Sequence, residues 1–190
     1  FLTSYTPYQP EVSQGTLKAI YEFQTMTCQL FDMEVANAGM YDGATSLAEG
    51  ALMACRVTRR YKVAYLDTLS PSYLQVLTTY TAAQDVQPYP VSADSAATLE
   101  PDTACPVVQH PNFFGYLEDL ADLEQAARRA GALLVVSTDP IAAGMIRPPG
   151  SYGADIVTAE GQPLGIPMSF GGPYVGLFTC KSEYLRQLPG

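Results

Sequence analysis

Residues 116–136 pass from one structural period to another across a single glycine, and this constrains the fold more than any other stretch. Residues 116–130 carry helical spacing, and Gly131 closes them as the residue after the helix C-cap. Ala132, Leu133, Leu134, Val135 and Val136 then make an unbroken apolar run, which no other run in the chain exceeds in length. A run without alternation belongs to a strand buried on both faces, and such strands occur where helices cover both sides of a largely parallel sheet.

The same alternation extends along the chain. Residues 1–10 are rich in Tyr and Pro and read as extended, because residues before proline avoid the helical region. A helix is expected over residues 11–31, with Ile20, Phe23, Met26, Thr27 and Leu30 on one face, and a turn over residues 39–42. The clearest helical pattern follows, with Ala44, Leu47, Ala48, Ala51, Leu52 and Cys55 on one stripe and Asp42 placed to cap it. Residues 62–66 read as a short strand, and Ser70-Pro71 as the start of a helix running to Ala83. Residues 86–91 form a proline-interrupted strand that belongs at a sheet edge. Further strands are expected at 106–109, 155–159 and 174–180, and the last three residues end with no obvious helix or cap. Strands alternating with helices predict one α/β domain over residues 1–190, a three-layer arrangement around a mixed, mostly parallel sheet.

Composition narrows the partners. The net charge of −9 repels phosphate backbones and anionic lipid, so nucleic acid and membrane are poor candidates. No apolar run approaches the ~20 residues that span a bilayer, and no basic-then-apolar leader opens the sequence, so no signal peptide is expected. Charged residues make up 15% of the chain, against about 25% in average soluble proteins. With 13 tyrosines, this shortfall favours a surface partly covered by other protein over a simple Ala/Pro-rich monomer. The four cysteines are irregularly spaced without a C-x-x-C pair, and His110 is the only histidine, so a zinc site is not expected. Cys28 and Cys55 fall in helical patterns, and reduced thiols in a cytoplasmic setting are the default.

Ligands of open α/β sheets bind at the carboxyl ends of the strands, and four segments fall there. Tyr41-Asp42-Gly43-Ala44-Thr45-Ser46 opens the best helix, which suits either a phosphate or an ordinary cap, the commoner use. Gln109-His110-Pro111-Asn112-Phe113-Phe114-Gly115 follows a strand; its histidine either meets a ligand or is a half-buried loop residue with a backbone partner. Asp139, before Pro140, either faces a cationic cofactor nitrogen or shapes a turn. Lastly, the strand 155–159 runs into Glu160-Gly161-Gln162-Pro163, a glycine-containing turn suited to backbone approach to a ligand. The chain's only lysines are Lys18, Lys62 and Lys181, and none lies in this turn.

These residues carry a resemblance. Phe1-Leu2-Thr3-Ser4-Tyr5-Thr6-Pro7-Tyr8-Gln9-Pro10-Glu11-Val12-Ser13-Gln14-Gly15 is similar to the signature of the glycine decarboxylase family, the P-protein of the glycine cleavage system, in its N-terminal half or subunit 1. The similarity continues through Met40-Tyr41-Asp42-Gly43-Ala44-Thr45 and Pro111-Asn112-Phe113-Phe114-Gly115. It then runs through Arg147-Pro148-Pro149-Gly150-Ser151-Tyr152-Gly153-Ala154-Asp155-Ile156-Val157 and Phe170-Gly171-Gly172-Pro173.

The resemblance implies the large domain of a type I pyridoxal-phosphate enzyme, a seven-stranded mixed sheet, truncated here of an N-terminal segment and the C-terminal small domain. It implies a reaction in which glycine, condensed with pyridoxal phosphate, loses carbon dioxide and passes its aminomethyl group to the lipoyl arm of H-protein. In the catalytic half, a lysine in the turn after the Gly-Ala-Asp strand forms the Schiff base. Here that turn offers no amine, and Val135, Val136 and Ser137 stand where catalytic halves place the aspartate facing the pyridine nitrogen. The implied role is therefore a non-catalytic partner half, with no covalently bound cofactor, paired in a heterotetramer with the catalytic subunit 2, which holds the pyridoxal phosphate. Tyr5, Thr6, Tyr8 and Gln9, with Tyr41, Thr45, His110 and Asn112, are the candidates to line the shared site or the interface. Two alternatives stay open: a self-sufficient enzyme with a displaced lysine, Lys181, and a structural or regulatory module that touches no active site.

Overall fold

The computed structural model describes residues 7–93 and 98–189. In chain order its elements are α1 (Gln14–Phe31), β1 (Val35–Ala36), α2 (Gly43–Thr58), β2 (Lys62–Leu66), α3 (Pro71–Thr81), β3 (Gln87–Val91), β4 (Thr103–His110), α4 (Leu120–Ala130), β5 (Val135–Thr138), α5 (Pro140–Ala143), β6 (Ile156–Glu160) and β7 (Gly176–Cys180). Short 3-10 turns follow Pro148, Gly161 and Lys181. The strands form one seven-stranded sheet in the order β1-β7-β6-β5-β4-β2-β3, parallel throughout except for β7, which runs against both of its neighbours.

Helix α2 organises one face. Asp42 is extended (φ −159°) and accepts the Thr45 N–H at 2.7 Å, while Thr45 Oγ1 accepts the Asp42 N–H at 3.2 Å, a reciprocal capping box. Leu47, Ala48, Ala51, Met53 and Ala54 are fully buried. Gly50 lets the helix lie close to the sheet, since a Cβ there would stand 3.3 Å from both Val135 and Ile156. Alongside α2, α3 adds Leu77 to the same buried cluster as Val63, Val107 and Val135. The opposite face is covered by α4, through Leu120, Leu123 and Ala127, and by the end of α1 at Phe31, over Val108, Val136 and Val157. Alternation along each strand explains the division: Val135 and Ile156 face α2, and Val136 and Val157 face α4.

The expected three-layer α/β domain is therefore found, with several shifted boundaries. Helix α1 starts at Gln14, after a turn in which the Gln9 carbonyl accepts from Val12 and Ser13. Helix α4 starts at Leu120 because the Asp119 carboxylate takes the N–H groups of Ala121 and Asp122. Ala132 lies beyond α4 but its N–H still serves the helix end, bound to the Ala127 carbonyl, and β5 begins only at Val135. Strand β4 begins before Pro106, at Thr103, and the β2–β4 register slips at Ala104, opposite the step from Lys62 to Val63. The proline-bearing β3 lies at the sheet edge as expected. Gln87 donates its N–H to Tyr61, on the β2 side, so the nitrogens of Pro88 and Pro90, at alternate positions, face outward.

Candidate functional site

Four parallel strands end together, β2 at Leu66, β4 at His110, β5 at Thr138 and β6 at Glu160; because β7 is antiparallel, its first residue, Gly176, lies at this same end. The N-terminus of α2 completes the cluster.

Glu160 is its hub. One carboxylate oxygen accepts the N–H of Gly43, the first residue of α2, at 2.9 Å. The other accepts from Gln162 at 2.9 Å and from Val175 at 3.3 Å. Space around Gly43 is taken: a Cβ there would lie 2.5 Å from the Tyr73 hydroxyl and 2.9 Å from Glu160 Cβ. Burial pushes the Tyr73 phenol up to about 12, with the negative charges of Glu160, Asp42 and Asp139 adding to the shift. Gly161 is likewise enclosed by its own chain, as a Cβ would come within 2.8 Å of Val175 and 3.0 Å of Leu177. The glycine of this turn thus serves packing against the start of β7 rather than the approach of a ligand.

His110 is buried at the end of β4. Its Nδ1 accepts the Glu118 N–H at 3.1 Å, its carbonyl accepts from Thr138 Oγ1 at 2.7 Å, and Tyr152 lies edge-on with ring centroids 6.5 Å apart. Burial lowers the imidazole pKa, against the opposing pull of the Glu118 carboxylate. Asn112, also buried, shapes the following loop: its Oδ1 accepts from Phe114 and Tyr116, and its Nδ2 donates to Glu118 at 2.6 Å. Both side chains hold the loop as well as flanking the strand ends.

Other candidates from the sequence are more scattered. Tyr5 and Thr6 lie outside the described residues. Tyr8 is exposed and Gln9 forms the turn before α1. Tyr41 is 84% exposed beside the start of α2, whereas the Thr45 hydroxyl is engaged in the capping box. Asp139 caps α5 by accepting the Ala142 N–H at 2.8 Å, the turn-shaping use of that residue. Sequence reasoning read Glu160 only as part of a turn; its partners Gly43 and Val175 are distant in the chain, and an acid directly after an apolar strand was the one available signal.

Does this end suit pyridoxal phosphate? The residues present do not fit it. No amine is available in the turn after β6, and the helix N-terminus that would hold a phosphate is capped by Asp42 and occupied by Glu160. Lys181 is no substitute: it follows β7, at the opposite end of the sheet, with Nζ 2.5 Å from Asp155 Oδ1 and 3.0 Å from the Gly153 carbonyl. Burial pushes the thiols of Cys55 and Cys180 up to about 11, which leaves them poor nucleophiles. Among the described residues no group of three or more His, Cys, Asp or Glu is arranged to hold a metal, and no helix is long and apolar enough to cross a membrane.

The loops at this end are apolar at their surface. Tyr41, Phe114, Tyr116, Met145, Met168 and Phe170 are all exposed there. Exposed apolar side chains are what contact surfaces carry, in keeping with the low charge of the sequence.

Comparison with known proteins places the chain. Two relatives named probable glycine dehydrogenase (decarboxylating) subunit 1, from Desulforamulus reducens and Thermomicrobium roseum, are 52% and 54% identical over the whole chain, which spans 44% and 45% of their lengths. A crystal structure of glycine decarboxylase (P-protein) of the glycine cleavage system, in inhibitor-bound form, superposes with a TM-score of 0.93 at 48% identity, covering all of this chain and 44% of that one. The sphingosine-1-phosphate lyase of Burkholderia pseudomallei shares the fold alone, with a TM-score of 0.70 at 14% identity over 96% of this chain and 49% of its own. The family model described as glycine cleavage system P-protein matches residues 1–190. With the family model matched along residues 1–190 and relatives about half identical over the whole chain, the chain belongs to the glycine cleavage system P-protein family.

Proposed function

We propose that this chain is part of the non-catalytic half of a two-subunit glycine dehydrogenase (decarboxylating) acting in glycine cleavage. The observation that carries the reading is the turn after β6. The family frame is matched along the whole chain, yet the turn reads Gly161-Gln162-Pro163 and its backbone is tied to Glu160 rather than free for a ligand. The designation of its relatives as subunit 1 supports a companion subunit 2. In this reading subunit 2 holds the pyridoxal phosphate, glycine and the lipoyl arm of H-protein reach a site on that subunit, and the two subunits form a heterotetramer in the cytoplasm.

This chain's own contribution is steric and orienting. Its exposed loops after β4, β5 and β6 supply apolar contact area for the companion, while His110 and Asn112 hold one of those loops in a single shape. Tyr5, Thr6, Tyr8, Gln9, Tyr41 and Thr45 are the proposed lining of the access path. The experiment is to purify the full-length polypeptide alone and together with a homologous subunit carrying the lysine. We expect glycine-dependent carbon dioxide release only from the pair, and borohydride reduction with pyridoxal phosphate to label only the companion. A stoichiometric label on Lys18, Lys62 or Lys181 overturns the proposal.

A further inference from the structure

We infer that Glu160 is the built-in occupant of the anion position at the N-terminus of α2, a carboxylate standing where the phosphate of a ligand would otherwise be held. The inference goes beyond the pairing of subunits and does not need it.

The first ground is convergence. Three backbone N–H groups from separate segments, Gly43 at the start of α2, Gln162 in the turn after β6 and Val175 before β7, meet on one carboxylate at 2.9, 2.9 and 3.3 Å. Several N–H groups at a helix terminus, at the carboxyl ends of parallel strands, make the arrangement by which proteins hold phosphate. The helix dipole adds positive potential there, and α2 is a 16-residue helix.

The second ground is redundancy. Helix α2 already has a complete local cap, in which Asp42 and Thr45 satisfy each other's N–H groups. A further carboxylate is not needed to end the helix. This one comes from 117 residues away in the chain and binds the Gly43 N–H, which the local cap does not take. Its seat is shaped for it: Glu160 Cβ and the Tyr73 hydroxyl lie so close to Gly43 that no larger residue fits at the head of α2.

A third observation lies on the same face of the strand. Thr158 precedes Glu160 by two residues, so strand alternation puts both on the α2 face of β6. It is wholly buried, and among the described residues its hydroxyl is the one buried side-chain polar atom without a hydrogen-bond partner. Such an atom is costly to bury unless something polar fills the layer above it.

The consequence is that this end of the sheet reaches its folded arrangement with no phosphate-bearing ligand, because the chain carries its own anion. The test uses the full-length polypeptide without any partner subunit, so it stands or falls separately from the proposed pairing. Thermal unfolding of wild type, Glu160→Ala and Glu160→Gln is followed with increasing inorganic phosphate, against sodium chloride at matched ionic strength. Wild type should melt at the same temperature in both salts. Glu160→Ala should melt about 5 °C lower and regain most of that loss saturably in phosphate only, as expected of a ligand that binds the folded state. Glu160→Gln, which keeps an acceptor oxygen but not the charge, should fall between them and show a smaller phosphate response. If Glu160→Ala does not fold, the response of Glu160→Gln decides the matter. Destabilisation that phosphate restores no better than chloride, or wild type responding to phosphate as strongly as the variants, overturns the inference.

Discussion

The two ends of strand β6 each carry an acid, and the two acids are used in opposite ways. Asp155, just before the strand, is paired with a lysine: Lys181 Nζ lies 2.5 Å away, and the Leu134 N–H completes the carboxylate's contacts at 2.8 Å. Glu160, at the strand's last position, accepts three backbone N–H groups and, among the described residues, no cationic side chain. One end is closed by an ion pair between neighbouring strands, the other by a carboxylate that draws a helix, a turn and a strand onto itself. The lesson is positional. The chain has a lysine that meets a β6-end carboxylate, but at the end of the sheet remote from where ligands of this fold bind. Such placement separates a structural amine from a catalytic one more firmly than a count of lysines does.

Substitutions at the two ends test this contrast. The largest effect is expected at the Glu160 end from Gly176→Ala, whose Cβ would stand 2.1 Å from Ser46 Oγ and 2.4 Å from the Asp42 carbonyl. Forcing β7 away from α2 should remove about 3 kcal/mol of stability in denaturant titration; an unchanged midpoint would mean that this end is loosely packed and that the comparison fails. At the other end, Asp155→Ala strands Lys181 and the buried Leu134 N–H, and should cost about 2 kcal/mol, discounted for a lysine whose side chain is 33% exposed. Combining it with Lys181→Met should cost less than the sum of the two single changes. Independent, additive losses would show that the pair does not act as a unit.

A smaller effect separates the ends by pH. The only histidine, His110, lies at the Glu160 end, and its folded pKa is lowered mainly by burial. Its unfolded form therefore binds protons more readily, so its contribution to stability is complete above about pH 6.5 and is lost as pH falls from there towards the folded pKa. Thermal unfolding should show this loss in wild type and a reduced loss in His110→Gln, and hydrogen exchange should place the first softening in the loop after β4. Equal acid sensitivity in the two proteins rules out His110 as its source. The smallest change in stability is expected from Phe114→Ser, within about 0.5 kcal/mol because the side chain is exposed. The same variant should weaken association with a companion subunit in a titration, whereas unchanged association would remove that loop from the proposed contact area.

Much of the fold was legible in the sequence because its signals are local. The capping residue and apolar stripe of α2, the span of β2 and the edge position of β3 follow from neighbouring residues alone. Strand β1 has two residues and α5 four, too few for any period to register. The start of α4 moved because Asn112, His110 and Glu118 hold residues 111–118 as a loop through contacts that no helical pattern encodes. The site divides in the same way. The missing amine was plain in the turn 160–163, and the cap at Asp42 was anticipated. The role of Glu160 was not, because its first partner is 117 residues distant. The reach of a carboxylate across a sheet is a tertiary fact, and only its position at the end of a buried strand hinted at it.

The margins of the sheet have a consequence for how this molecule meets others. On one flank β3 turns the nitrogens of Pro88 and Pro90 outward, and on the other β1 is only two residues long. Neither margin offers an incoming strand a continuous ladder to extend. Among the described residues, growth by strand addition is thereby disfavoured at both margins, which leaves side chains on the loops and helices as the surface for association. Recognition by such surfaces depends on shape and on particular residues, and the sheet itself is kept out of reach of indiscriminate backbone pairing.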